Sequence, residues 1–330
     1  MTAYIDVHHH LLPDFYIDEV GMEPILTQAP RYSSVALEWT AQKSLDAMDE
    51  NGVALALLSI SAPGLWFGDR DATVRLARRC NDYMASLVQQ FPTRFGMFAA
   101  LPLPAVDASL AEIAHCADTL CTDGFGLFSS YGNQYLGAPE FAPVFDELNR
   151  RGATVFVHPN AGEASRRLLP DFPASILEFP LDTTRSVMSL LFSGTMARCP
   201  NVRFIFSHAG GAVPFLAHRM ARLEAVETFA EKTPGGAMKL LQRQYYDTAL
   251  SANEPALAAL TKFVPTSQIL FGSDFPFAPG MMGRTISTLK NYGFDEESHH
   301  AIACANARTI LRGVAGRVGN TSAAPENQPT

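Results

Sequence analysis

Four short apolar runs in this chain end alike. Residues 3–7 lead into His8-His9-His10, 153–157 into His158-Pro159, 202–206 into Ser207-His208, and 268–271 into Gly272-Ser273-Asp274. Each run reads as a strand that stops at a histidine or aspartate beside a turn-forming residue. Residues so far apart can share one task only if the strands are parallel and their C-terminal ends lie side by side. Side chains alternate along a strand, so His8 and His10 project from one face and His9 from the other. The His8 and His10 pair can grip one ion through imidazole nitrogen, a donor that zinc, manganese and iron all accept. The triplet follows Tyr4-Ile5-Asp6-Val7 and runs into Leu11-Leu12-Pro13, which marks it as a strand end and not an affinity tag.

Strands are expected at 3–7, 53–60, 95–100, 125–129, 153–157, 202–206, 244–248 and 269–271, with helical segments between them. The run at 53–60 is almost continuously apolar, as suits a parallel strand buried on both faces. Helices are expected at 41–50, ending at Asn51-Gly52, and at 72–90, with Ala77, Cys80, Met84, Leu87 and Val88 at helical spacing. A third carries Leu110, Ile113, Ala114, Ala117 and Cys121 on one stripe, with Asp107 as its expected cap. Two more cover 139–151, framed by proline and Gly152, and 183–198, after a long irregular approach from 160 to 182. Residues 11–39, broken by Pro13, Pro24 and Pro30, read as an extended functional loop behind the histidine pair.

This alternation predicts an α/β protein: a single (β/α)8 TIM-like barrel, with insertions in its βα loops, in place of two domains. The 330 residues, 47% of them hydrophobic, can fill one such core. The barrel is expected to occupy residues 1–315. Residues 316–330, rich in Gly, Ser, Ala, Pro and Asn, are expected to form a disordered C-terminal tail.

A net charge of −8 without a large Lys/Arg cluster argues against nucleic acid and membrane surfaces as partners. An anionic substrate would need positive charge supplied locally, which a metal does. Cys80, Cys116, Cys121, Cys199 and Cys304 have no close C-x-x-C spacing, so they read as small buried hydrophobes in a reducing compartment. No basic leader with an apolar core and no bilayer-length apolar run is present, so a cytoplasmic protein is expected.

The order H-x-H after the first strand, H-P after a middle strand, S-H-A-G-G after the next and G-S-D-F-P near the end resembles the amidohydrolase superfamily. More narrowly it is similar to the branch of aminocarboxymuconate semialdehyde decarboxylase and the non-oxidative aromatic acid decarboxylases for resorcylate and 6-methylsalicylate. The similarity spans about residues 5–312. It implies that His8, His10, His158 and Asp274 bind one divalent metal, most often zinc, with manganese as the alternative, and that no organic cofactor is used. It also implies acid/base or substrate-contacting work for His208, a share in catalysis for Asp274, and assembly as a homodimer or homotetramer.

Two departures narrow the match. The muconate decarboxylase carries an arginine in the segment matching 41–49, where this chain has Gln42, Lys43, Ser44 and Asp46; the resorcylate enzymes begin with a glutamate where this chain has His8. Both shift the resemblance toward 6-methylsalicylate decarboxylase. The expected activity is therefore metal-dependent, non-oxidative decarboxylation of a hydroxybenzoate-type aromatic or enol carboxylic acid, with metal-dependent hydrolysis of a lactone or amide as the alternative. The bridging lysine common in binuclear hydrolases of the superfamily is missing from 127–134. Arg185 is expected to meet the substrate carboxylate, unless it serves a surface ion pair, and Trp66 and Tyr131, with Tyr135, to border a flat ring. His115, His299 and His300 read as solvated helix residues, and His218 as structural.

Overall fold

Eight parallel strands follow one another around a single sheet in chain order. They are β1 (Tyr4–His10), β2 (Val53–Ser59), β3 (Phe95–Ala100), β4 (Gly124–Phe128), β5 (Thr154–His158), β6 (Arg203–Phe206), β7 (Tyr245–Asp247) and β8 (Ile269–Leu270). The computed structural model describes residues 3–26, 35–162, 165, 167–169 and 171–317. The first and last strands meet: Val7 N donates to Phe271 O at 3.0 Å, Asp274 N to His8 O at 2.9 Å and His10 N to Phe275 O at 2.7 Å. These bonds close the sheet into the expected (β/α)8 barrel and remove its edges. Register aligns the strand ends, with His10 opposite Ser59, Phe128 opposite His158 and Val157 opposite Phe206.

Alternation sorts the core into two layers. Ile5, Val7, Leu55, Leu57, Phe98, Phe156, Ile205 and Leu270 fill the barrel interior and pack on Cys304, Ala307, Ile310, Leu311 and Val314 of the C-terminal segment. Phe98 and Phe156 stack there at 5.3 Å between centroids. The opposite faces pack against the surrounding helices. Burying each large apolar side chain contributes about 1.5–3 kcal/mol, so the interior layer is a plug and not a channel.

Several local expectations change. Residues 11–39 are partly helical, with helices at Asp14–Val20 and Met22–Leu26, because Pro13 caps the first and Pro24 sits in the first turn of the second, where no amide is required; residues 27–34 lie outside the described residues. The helix expected at 183–198 begins earlier, spanning Ala174–Phe192 with Pro180 inside it, and Thr195–Arg198 forms a separate turn. Asp107 lies within the first turn of helix Val106–Asp118 instead of capping it, and bonds Arg70 at 2.6 Å. His299 is not fully solvated: its Nε2 is 2.8 Å from the Tyr4 hydroxyl. His218 is exposed. Cys121 is also exposed, in a left-handed turn at φ 55°, while the other cysteines are buried and all five are free. The closing helical turn Val314–Arg317 reaches into the stretch read as tail. Arg317 there donates to Phe95 O at 3.0 Å and pairs with Asp123; residues 318–330 lie outside the described residues.

Candidate metal centre

The C-terminal ends of the strands bring His8, His10, His158 and Asp274 together, all buried, with one donor atom from each lying within 4.8 Å of the others. Ile5 and Val7 already face the interior, and an irregularity of β1 between Asp6 and His9 resets its phase so that His8 and His10 also turn inward as a pair, with their Nε2 atoms 3.0 Å apart. Asp274 Oδ1 is 3.3 Å from both. Four donors around zinc at bond lengths of about 2.0–2.1 Å stand roughly 3.4 Å from one another, so the 3.0 Å and 3.3 Å spacings among His8, His10 and Asp274 suit a small divalent ion.

The remaining ring nitrogens are already engaged. His8 Nδ1 faces Asp247 Oδ2 at 2.8 Å, His10 Nδ1 faces Ser59 Oγ at 3.0 Å, and His158 Nδ1 faces Pro159 O at 2.9 Å. Anchoring Nδ1 this way leaves Nε2 as the donor and fixes each ring's orientation. His9, on the outer face, bonds Asp6 at 3.1 Å and Ser44 at 2.9 Å and stacks on Phe275. Asp6 in turn accepts from Ser273 N at 3.0 Å, tying the β1 triplet to the loop that presents Asp274. Gly272 is required by closeness: a Cβ there would stand 2.8 Å from His8 Cβ.

Electrostatics separates the four groups. Burial opposes charge on His8, but the carboxylates of Asp247 and Asp274 prevail and push its pKa up to about 10. Burial lowers His10 to about 4 and takes His158 well below the ordinary imidazole value. Asp274 is buried too, yet the His8 charge and the close imidazoles of His10 and His208 hold it well below the usual carboxylate range. The cluster thus holds an anionic carboxylate and two neutral imidazoles ready to donate lone pairs, with one proton, on His8, standing where a cation would bring its charge.

His208 completes the floor. It is buried, its Nε2 is 3.5 Å from Asp274 Oδ2, and neither ring nitrogen has a hydrogen-bond partner among the described residues. Its backbone is left-handed at φ 54°, as are Ala209 at 57° and Asp274 at 63°. Such non-glycine conformations cost on the order of 1 kcal/mol or more each and persist where surrounding contacts enforce them. At His208 the enforcing contact is Asp247, whose Oδ1 accepts the His208 N–H at 2.9 Å. Above this floor opens a cavity of about 260 Å³ walled by Phe179, Phe277, Ile176 and Met281.

A family model for amidohydrolases matches residues 5–313. The chain belongs to the amidohydrolase family. It is 37% identical over 324 residues to a decarboxylase of Aspergillus niger, a match covering 91% of this chain and 84% of that protein. It is 34% identical over 310 residues to 6-methylsalicylic acid decarboxylase of Penicillium expansum, covering 91% and 93%. A crystal structure of dihydroxybenzoic acid decarboxylase from a Polaromonas species, with bound manganese and the inhibitor 2-nitroresorcinol, matches with a TM-score of 0.81 at 22% identity over 94% of this chain and 97% of that one. At that identity the likeness carries the fold, and the fold agrees.

Other expected site residues of this amidohydrolase lie elsewhere. Arg185, on helix Ala174–Phe192, is 3.9 Å from Glu178 and lines a separate surface groove with Met188 and Arg219. Tyr131 is buried between Phe128 and Phe141, and its hydroxyl oxygen accepts the Phe128 N–H at 3.0 Å. Trp66 borders a neighbouring groove with Phe67 and Asn133, and Tyr135 donates to the buried Asp182 at 2.8 Å. Helix phase and loop packing aim these side chains, and neither is written in local sequence. The reverse omission is Asp247: it ends β7 as the candidate ligand His158 ends β5, and that shared position was the available signal.

Proposed function

We propose that this amidohydrolase is a metal-dependent, non-oxidative carboxy-lyase acting on a hydroxybenzoate-type acid similar to 6-methylsalicylate. The observation that carries the reading is the convergence of three imidazoles and one carboxylate on the floor of an apolar, aromatic-walled cavity, with His208 unpartnered beside them. The named activities of the Aspergillus and Penicillium relatives support it.

His8, His10, His158 and Asp274 hold the ion; zinc suits three imidazoles and a carboxylate, and manganese, present in the Polaromonas structure, is the alternative that metal analysis separates. A bound divalent cation supplies Lewis-acid polarisation of the substrate's carboxylate and adjacent hydroxyl. Phe179 and Phe277 hold the ring and keep water away. His208, with the Asp274 carboxylate 3.5 Å away to support its charged form, passes a proton to the ring carbon bearing the carboxylate. The carbon–carbon bond then breaks, its electrons restore the ring, carbon dioxide leaves, and His208 is reprotonated from solvent. The protein acts as a homodimer or homotetramer in this reading, since Leu177, Met188 and Phe215 stand exposed on the outer helices. Five free cysteines fit a reducing cytoplasm. No described helix is long and apolar enough to cross a membrane.

The test uses deuterium oxide. Metal-loaded enzyme given 6-methylsalicylate or salicylate should release carbon dioxide and place one deuteron on the carbon that lost it. Turnover of lactones or amides without carbon dioxide from any hydroxybenzoate or enol acid would replace this reading with the hydrolase.

A further inference from the structure

The cavity over the donor cluster presents one guanidinium among its described lining residues, and it is not the one the sequence suggested. Arg284 lines that cavity together with His158, His208, Asp274 and Phe277. Helix Met281–Asn291 turns Met282, Ile286 and Leu289 into the core. Met281 and Arg284, one turn apart, are thereby left toward the cavity. Arg284 is exposed, and among the described residues its side chain forms no ion pair or hydrogen bond. The one acid among the described lining residues, Asp274, is engaged by the histidines at 3.3 Å and 3.5 Å. A free guanidinium at the mouth of an active-site cavity is notable in a protein of net charge −8, whose field repels an incoming carboxylate.

We infer that Arg284 captures the anionic substrate at the cavity mouth and is the residue that makes this site select acids over neutral aromatics of the same shape. It acts on association and on the first complex, before the carboxylate reaches the floor, and not on bond breaking. This inference rests on the proposed reading that the cavity admits an aromatic acid. A guanidinium suits the role because it stays charged at any working pH and meets a carboxylate with two parallel donors.

The experiment compares wild type, Arg284→Gln and Arg284→Lys, all metal-loaded. Calorimetric binding of benzoate, which lacks the ortho hydroxyl, is set against binding of neutral benzamide. Arg284→Gln should weaken benzoate by about tenfold and leave benzamide unchanged, with Arg284→Lys in between. Metal content should equal that of wild type in both variants. With a turned-over hydroxybenzoate, Arg284→Gln should raise KM, keep kcat within about twofold, and flatten the salt dependence of kcat/KM. Unchanged benzoate affinity, equal weakening of both ligands, or a fall in kcat at constant KM would overturn the assignment. If benzoate binding depends on Arg284 but no hydroxybenzoate loses carbon dioxide, the decarboxylase reading fails and the capture role stands.

Discussion

Oδ2 of Asp247 lies 2.8 Å from Nδ1 of His8, and both side chains are fully buried. The other oxygen of the same carboxylate accepts the backbone N–H groups of His208 at 2.9 Å and Ala249 at 3.0 Å. One carboxylate therefore orients a candidate ligand and pins the left-handed backbone of the candidate acid/base residue. Asp247→Asn keeps a single acceptor oxygen, which cannot serve both His8 and His208. Chelator competition with zinc should show an affinity loss of about 10–100-fold. Turnover should also fall at saturating metal, because His208 is released. Unaltered zinc affinity would reduce Asp247 to a structural carboxylate.

Single alanine variants of His8, His10 and His158 should each lower bound metal and activity together, since each removes one of a small set of donors. His208→Ala should keep its metal and lose turnover by about 10²–10⁴-fold, the range for a missing acid/base group. Metal content by plasma mass spectrometry distinguishes the two classes, and a metal-free His208→Ala protein would move that residue into the ligand set.

Metal-stripped protein should be most stable near neutral pH. The His8 pKa is raised from 6.5 to about 10, so its contribution is full below pH 6.5 and is lost as pH rises toward 10. The His10 pKa is lowered from 6.5 to about 4; the unfolded chain binds more protons in between, and stability falls as pH drops through that window. Melting temperatures recorded across pH 4–10 check both limbs. His8→Gln should abolish the alkaline slope; a slope that survives would mean another group carries it.

What the sequence by itself determined is what depends on covalent periodicity and on strand order. Alternation put His8 and His10 on one face, and strand-ending His158, His208 and Asp274 reached the same mouth because parallel strands finish on the same side. The motif set carried the family, and the family model spans residues 5–313. The aim of side chains away from strand ends was decided only by tertiary structure. Arg185 and Arg284 are both helical arginines; the packing phase of each helix turned the first toward a surface groove and the second toward the cavity. Tyr131 stands in a hydroxyl-rich loop, yet it is buried between two phenylalanines. Asp247 acquired its partner across 239 residues, only once β7 was seated between β6 and β8. Local chemistry names the groups able to bind or transfer; closure of the barrel, which exchanges water for neighbours around every buried side chain, decides which of them meet.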